Sequence, residues 1–275
     1  MTTAPDATGR KLAANPTGSW VIDLDGVVWL AGEPIRGVGE AIERLHGAGA
    51  RVLFASNNSS SSIAVFLERL ERAGIEALPH EVVTSAQAAA SMIEAGRTAL
   101  VVGDEGVVEA LGARGVHVVT AVGGSGADAH VPDVDVVVVG WTRRFDFGLL
   151  AAASRAVRAG ARLIGTNEDP TYPTPDGLLP GAGSVLAAVA TASGAAPEVA
   201  GKPHEPLARL IAERAGRVAA VVGDRPSTDG ALAKHLGAPF ALVLSGVTAP
   251  GDPLPEPPPD LVAPDLLAVV SAATA

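Results

Sequence analysis

W-V-I-D-L-D-G, Trp20 to Gly26, is the stretch on which the reading of the fold turns. An apolar run this short, closed by a glycine, reads as a buried strand rather than a helix. Its carboxyl end carries Asp23 and Asp25, and the carboxyl ends of strands are where open α/β sheets bind ligands. Gly26 lets the chain bend away at once, so both acids can turn toward one crevice.

Outward from this strand the chain keeps alternating. Val38 to Gly47 reads as a helix and R-V-L-F-A-S, Arg51 to Ser56, as the next strand. Asn57, Asn58 and Ser59 to Ser62 form a polar turn suited to capping the helix that holds Val65, Phe66, Leu67 and Leu70. The same alternation returns in T-A-L-V-V-G (Thr98 to Gly103), a helix near Val107 to Leu111, and G-V-H-V-V-T ending at Thr120. After a Gly-, Asp- and Pro-rich loop come V-D-V-V-V-V-G (Val134 to Gly140), a helix over Leu149 to Ala159, and A-R-L-I-G-T-N (Ala161 to Asn167). The last elements are a helix near Pro206 to Arg214, R-V-A-A-V-V-G-D (Arg217 to Asp224), a helix from about Asp229 to Leu236, F-A-L-V-L-S-G (Phe240 to Gly246), and a short helix after Pro264. Strands so continuously apolar belong in parallel sheets covered on both faces by helices, which predicts an α/β, Rossmann-like core.

The chain has 275 residues, 48% hydrophobic and 18% charged, enough for two domains with packed cores. Lys and Arg total 20 against 30 Asp and Glu, for a formal charge of -10. That balance repels phosphate backbones and anionic membranes, so neither nucleic acid nor a membrane is an expected partner. Residues 1–17 read as a flexible leader without the apolar stretch of a secretory signal, and no apolar run approaches the roughly 20 residues of a spanning helix. With no cysteine, the expectation is a reducing, cytoplasmic setting.

Asp224 ends a late strand, with Asp229 five positions on. Converging with Asp23 and Asp25, these would make four acids that repel one another, and a divalent cation removes that conflict. All-oxygen ligands suit Mg2+. Ser56 and the Asn57 amides form a second polar cluster able to donate to an anion. Lys202, in the turn G-K-P-H, can supply positive charge, although a single lysine in a turn is more often simply solvated. Trp29 and Trp141 read as packing residues.

D-L-D-G-V-V-W, S-N-N-S-S, G-K-P and V-V-G-D-R-P-S-T-D-G, in that order, resemble the four motifs of the haloacid dehalogenase-like hydrolases. The stretch T-N-E-D-P-T-Y-P-T-P-D-G-L-L-P-G-A-G narrows the resemblance to the NagD-like and para-nitrophenylphosphatase-like branch. The resemblance implies a Mg2+-dependent phosphomonoester hydrolase working on a small phosphorylated metabolite through an aspartyl-phosphate. By it, Asp23 is the nucleophile and Asp25 the general acid–base, while Ser56, Asn57, Asn58 and Lys202 hold the phosphoryl group. Asp23, the Asp25 carbonyl and Asp224 bind the metal, and Asp229 supports them. It also implies a hydrolase core over residues 18–83 and 196–275, an inserted α/β cap over 84–195, and a homodimer formed through the cap.

The family pattern has an acid and a tyrosine where this chain has Thr142 and Phe147, the first of them within Gly140-Trp141-Thr142-Arg143-Arg144. Arg143 and Arg144 could meet an anionic substrate tail or simply be solvated. Glu168, Asp169 and Tyr172 stand in a cap loop that could touch substrate, or be held by Pro170, Pro173 and Pro175 as turns. An NAD-dependent oxidoreductase and a P-loop kinase both fail on the absence of their glycine motifs. A catalytically silent small-molecule or protein-binding module on the same fold is the alternative.

Overall fold

The computed structural model describes Leu12 and residues 17–119, 133–174, 177–253 and 258–274. Most of the expected leader, Thr120 and the loop after it, the Pro175 turn, and part of the proline-rich stretch from Asp252 to Asp260 lie outside the described residues. The chain divides into two compact units. One takes in the described residues up to Ser56, Ala64–Val83, and Ala208 onward; the other takes in Asn57–Ile63 and Thr84–Leu207.

The first unit is built on a six-stranded sheet ordered Leu261–Ala263, Phe240–Val243, Val218–Gly223, Ser19–Asp23, Arg51–Ser56, Val82–Thr84. Ser19–Asp23 lies inside it, parallel to Val218–Gly223 on one side and to Arg51–Ser56 on the other. All five of its residues are buried, as a strand covered on both faces requires. The helix Val38–Gly47 buries Val38, Ala41, Ile42 and Leu45, one stripe at helical spacing. It packs against Leu266–Thr274, whose Leu266, Val269, Val270 and Ala273 form the matching stripe.

The second unit has its own five-stranded parallel sheet, ordered Glu198–Val199, Arg162–Gly165, Val136–Val139, Thr98–Val102, His117–Val119. The helices Phe147–Arg158 and Ala182–Ser193 pack together over Val137, Val139 and Leu163. Ala152, Ala153 and Ala156 on one helix let Val185, Leu186 and Val189 of the other approach closely.

Several features depart from the expectations drawn from sequence. The segment around Tyr172 is not a chain of proline turns: Thr171–Thr174 pairs antiparallel with Gly177–Pro180, Tyr172 opposite Leu179. Ala182–Ser193 is a helix beyond those the sequence pattern marks. Asp229 does not begin a regular helix but sits in a wider π-helical turn, Pro226–Gly230, ahead of the helix Ala231–Leu236. Among the described residues no helix is long and apolar enough to cross a membrane.

Candidate active site

Parallel pairing sets the geometry of the first unit's acids. Asp23 is the last residue of its strand and lies opposite Ala55, one residue before Ser56. Ile22 lies opposite Val222, so Gly223 and Asp224 continue past the same sheet edge. The turn Pro226–Gly230 then brings Asp229 back. The result is a cluster in which Asp23, Asp224 and Asp229, all buried, each offer an oxygen, and those oxygens lie within 4.8 Å of one another. Three buried carboxylates so close repel one another, and a bound cation offsets that repulsion. Hard oxygen donors at this spacing fit a divalent cation of the Mg2+ type.

Several groups hold these acids in place. The Val247 N–H donates to Asp224 Oδ2 at 2.6 Å, and the Thr248 hydroxyl donates to the Asp224 carbonyl at 2.6 Å. Ser245 Oγ donates to the Gly26 carbonyl at 2.7 Å. Asp229 is anchored by the Arg225 N–H, 3.1 Å from its Oδ2, while its own N–H donates to the Arg225 carbonyl at 2.8 Å. Glycines give the carboxylates room. A Cβ on Gly26, whose φ is +89°, would stand 2.7 Å from the Asp224 carboxyl carbon and 2.9 Å from the Gly246 Cα. Gly246 and Gly223 likewise have the Asp224 and Asp229 side chains where a Cβ would be.

Asp25 points its Oδ1 at the indole N–H of Trp29, which donates at 3.0 Å. The turn from Asp25 to Trp29, closed by the Gly26 N–H to the Trp29 carbonyl at 2.7 Å, makes this bond local.

In the second unit Asn57 is a hub. Its Oδ1 accepts from the Lys202 N–H at 2.8 Å, and its Nδ2 donates to the Lys202 carbonyl at 3.1 Å and to Asp169 Oδ2 at 3.0 Å. Its carbonyl accepts from Asn167 Nδ2 and from Ser85 Oγ, both at 2.7 Å. Both the oxygen and the nitrogen of the Asn57 side-chain amide are thus engaged with protein. Asn58 Oδ1 accepts from both the N–H and the hydroxyl of Ser60, which shapes the turn leading to the helix Ile63–Arg72.

The cap-loop residues are also engaged. Arg144 pairs with Asp104 at 2.9 Å, and the Thr142 hydroxyl donates to the same carboxylate at 2.7 Å. Arg143 lies over the Trp141 ring, 5.7 Å from its centroid, and Tyr172 packs on that ring with centroids 5.0 Å apart. Glu168 pairs with His204 at 2.9 Å. Phe147 is 77% exposed.

A model of the haloacid dehalogenase-like hydrolases matches residues 20–117, and a second hydrolase model of the same superfamily matches 199–269. The acid sugar phosphatase of Staphylococcus haemolyticus is 34% identical over 236 residues, which cover 83% of this chain and 86% of that protein. The chain belongs to the haloacid dehalogenase-like hydrolases. The D-glycerol 3-phosphate phosphatase of Mycobacterium tuberculosis is 38% identical to this hydrolase over 84% of the chain, and the match spans only 64% of that protein's length. A crystal structure of a Mycobacterium tuberculosis glycerol phosphate phosphatase in complex with magnesium superimposes with a TM-score of 0.80 at 34% identity, covering 94% of this hydrolase and 77% of that chain.

Some parts of this hydrolase's site are not visible in its sequence. The loop Ser245–Thr248 carries a signal, S-G-V-T directly after a strand, but nothing local ties it to Asp224. Trp29 is buried, as a packing residue should be; its position four residues after Asp25 is the only clue that its N–H serves that acid. The clamp of Asn57 on Lys202 joins residues 145 apart and leaves no local trace.

Proposed function

We propose that this protein is a Mg2+-dependent phosphomonoester hydrolase whose substrate is a small polyol or sugar phosphate. Membership of the hydrolase family supports the reaction class, and the similarity to a D-glycerol 3-phosphate phosphatase and an acid sugar phosphatase supports the substrate class. The single observation that carries the mechanism is the buried cluster of Asp23, Asp224 and Asp229 at the carboxyl edge of a parallel sheet.

In this mechanism an oxygen of Asp23 attacks phosphorus, and the bond from phosphorus to the leaving alkoxide breaks. Asp25 gives that alkoxide its proton. Water then attacks the phosphorus of the Asp23 aspartyl-phosphate while Asp25 takes the water's proton, which frees inorganic phosphate and restores both acids. General acid–base work of this kind is worth roughly 100- to 10,000-fold. Asp23, Asp224 and Asp229, with the Asp25 carbonyl, would hold the metal, which supplies charge neutralisation for the approach of two anions and for the phosphoryl oxygens. Ser56 and the Asn57 backbone hold a phosphoryl oxygen, Asn58 shapes that turn, and Lys202 offsets charge on Asp23 and the phosphoryl group. Residues 84–195 act as a cap that excludes water and selects the leaving group, over a core of 18–83 and 196–275. Exposed Phe147 and Leu178 in the cap support pairing into a homodimer there, and a cysteine-free chain supports a cytoplasmic setting.

The test is phosphate release from a panel of phosphorylated metabolites, with and without Mg2+, by the parent protein and Asp23→Asn. Release that needs both metal and Asp23, fastest on polyol and sugar phosphates, is the expected result. No release from any compound would sink the phosphatase reading and bring forward a silent binding module on the same fold.

A further inference from the structure

We propose that the side chain of Asn57 is a positioning residue for Lys202, gripping both peptide groups of the lysine so that its ammonium is presented in one place, and that Asp169 fixes the orientation of the Asn57 amide. The inference rests on the charge-offsetting role given to Lys202 above and adds a residue that acts through it.

One carboxamide meets the N–H and the carbonyl of a single residue, the pattern by which one strand reads another. Only an amide does this, because the Lys202 N–H needs an acceptor at 2.8 Å and its carbonyl needs a donor at 3.1 Å. Aspartate would lack the donor and leucine would lack both. A flipped amide would set its NH2 against the Lys202 N–H and its oxygen against the Lys202 carbonyl and a carboxylate, so the orientation is fixed by chemistry. Asp169 Oδ2, accepting at 3.0 Å, enforces it from the far side. Asp169 is itself turned by the Asn167 Oδ1, which accepts its N–H at 3.1 Å. Asn167 also donates to the Asn57 carbonyl, so the loop after Gly165 grips Asn57 at two points.

The segment gripped by the clamp is shaped for close approach. A Cβ on Gly201 would stand 2.6 Å from Asn57 Oδ1 and 3.0 Å from the Ser85 Cβ. Lys202 is only 3% exposed, so the backbone that carries its long side chain is not free to drift. A misplacement of about 1 Å in a charged group near reacting atoms costs on the order of 100-fold in rate, which sets the scale for losing the clamp.

The test is a double-mutant cycle of Asn57→Leu with Lys202→Met, reading kcat and KM for phosphate release, joined to amide hydrogen exchange at Lys202. Asn57→Leu is expected to lower kcat on the order of 100-fold in the parent background with a smaller change in KM. In the Lys202→Met background it is expected to change kcat by less than about 3-fold, because a residue that acts only through the lysine has nothing left to act on. Equal losses in both backgrounds would show that Asn57 works independently of Lys202 and would overturn the proposal. If Lys202→Met alone leaves kcat unchanged, the lysine's role falls and the inference with it, while Mg2+- and Asp23-dependent release in the parent keeps the phosphatase reading standing. If the parent releases no phosphate, the exchange arm still decides the clamp: the Lys202 amide is slow in the parent and at least about 10-fold faster in Asn57→Leu, whereas unchanged exchange refutes it. Should Asn57→Leu fail to fold, Asp169→Asn keeps the shape and removes the orienting charge, with a loss of roughly 3- to 10-fold in kcat expected in the parent and none in Lys202→Met; equal losses in the two backgrounds would again overturn the proposal.

Discussion

Replacing Gly26 with alanine separates backbone strain from crowding of the acid cluster, because Gly32 provides a matched control. Both glycines hold positive φ, +89° and +91°, but a Cβ on Gly32 would meet nothing within 4 Å. Gly32→Ala therefore reports the conformational cost alone, about 1–2 kcal/mol for a side chain in that region. Gly26→Ala adds a clash with a carboxyl carbon at 2.7 Å and a backbone carbon at 2.9 Å, neither of which is the loose end of a flexible chain. Overpacking of this kind costs typically a further 1–3 kcal/mol, so the sum is roughly 2–5 kcal/mol, or a fall in Tm of roughly 5–15 °C. Relief comes only by moving Asp224, which the Val247 N–H and the Thr248 hydroxyl hold from the other side. Mg2+ binding to Gly26→Ala, measured by titration calorimetry, is then expected to weaken by about 10-fold or more, the scale seen when groups supporting a metal ligand are disturbed. Gly32→Ala should bind Mg2+ like the parent. Equal Mg2+ affinity in Gly26→Ala, with a Tm loss no larger than that of Gly32→Ala, would refute the argument that this glycine exists to make room for Asp224.

The indole and the carboxylate–arginine pairs give two more expected outcomes. Trp29→Phe keeps the buried ring and removes the N–H that orients Asp25; kcat should fall by roughly 10- to 150-fold, as for one lost hydrogen bond to a charged group, with KM little changed, and a rise in KM at constant kcat would instead assign Trp29 to binding. In the second unit, Glu198 is held below its ordinary pKa chiefly by the Arg162 side chain, and Asp135 chiefly by the Thr98 N–H, with Arg97 adding to it. A lowered folded pKa gives stability that is present above the unfolded value and lost as pH falls through the folded one. The Tm should therefore drop as pH is lowered from about 5 to about 3, by a small amount since both groups are largely exposed. Glu198→Gln should flatten part of that drop in a calorimetric pH series, and an unchanged slope would remove Glu198 from the account.

The parallel sheets are legible in the sequence because strands such as Val136–Val139 and Val218–Gly223 are unbroken apolar runs, which a sheet covered on both faces demands. The helix Val38–Gly47 is legible to the residue from its apolar spacing. Ala182–Ser193 is not, because its outward side carries Ala187, Ala188 and Ala192 rather than charged residues, so contrast with the buried Ala182, Val185, Leu186 and Val189 is low. The hairpin at Tyr172 is hidden by its own prolines, which argue for turns yet are tolerated where a strand has only one neighbour. In the site, Asp23, Asp25 and Asp224 are visible as acids ending strands. Asp229, expected to support the metal ligands from nearby, stands within the carboxylate cluster itself, because the wide turn at Pro226–Gly230 aims it there and no sequence rule predicts that turn. The groups that hold the acids, Val247, Thr248 and Arg225, act partly through main-chain atoms, which every residue possesses and no residue advertises.

The pairing of Trp20 with Ala220 across the central sheet has a consequence for how the molecule comes into being. A ribosome releases the strand that bears Asp23 early and its neighbour Arg51–Ser56 soon after, yet its neighbour on the other side emerges about 200 residues later, and long-range pairings of this sort are slow to form. By then every strand of the second sheet has left the exit tunnel, so that unit can fold during synthesis while the first strand waits. An apolar edge left unpaired for that interval is a ready target for aggregation or for a chaperone, and a translational pause before residue 218 would lengthen the exposure.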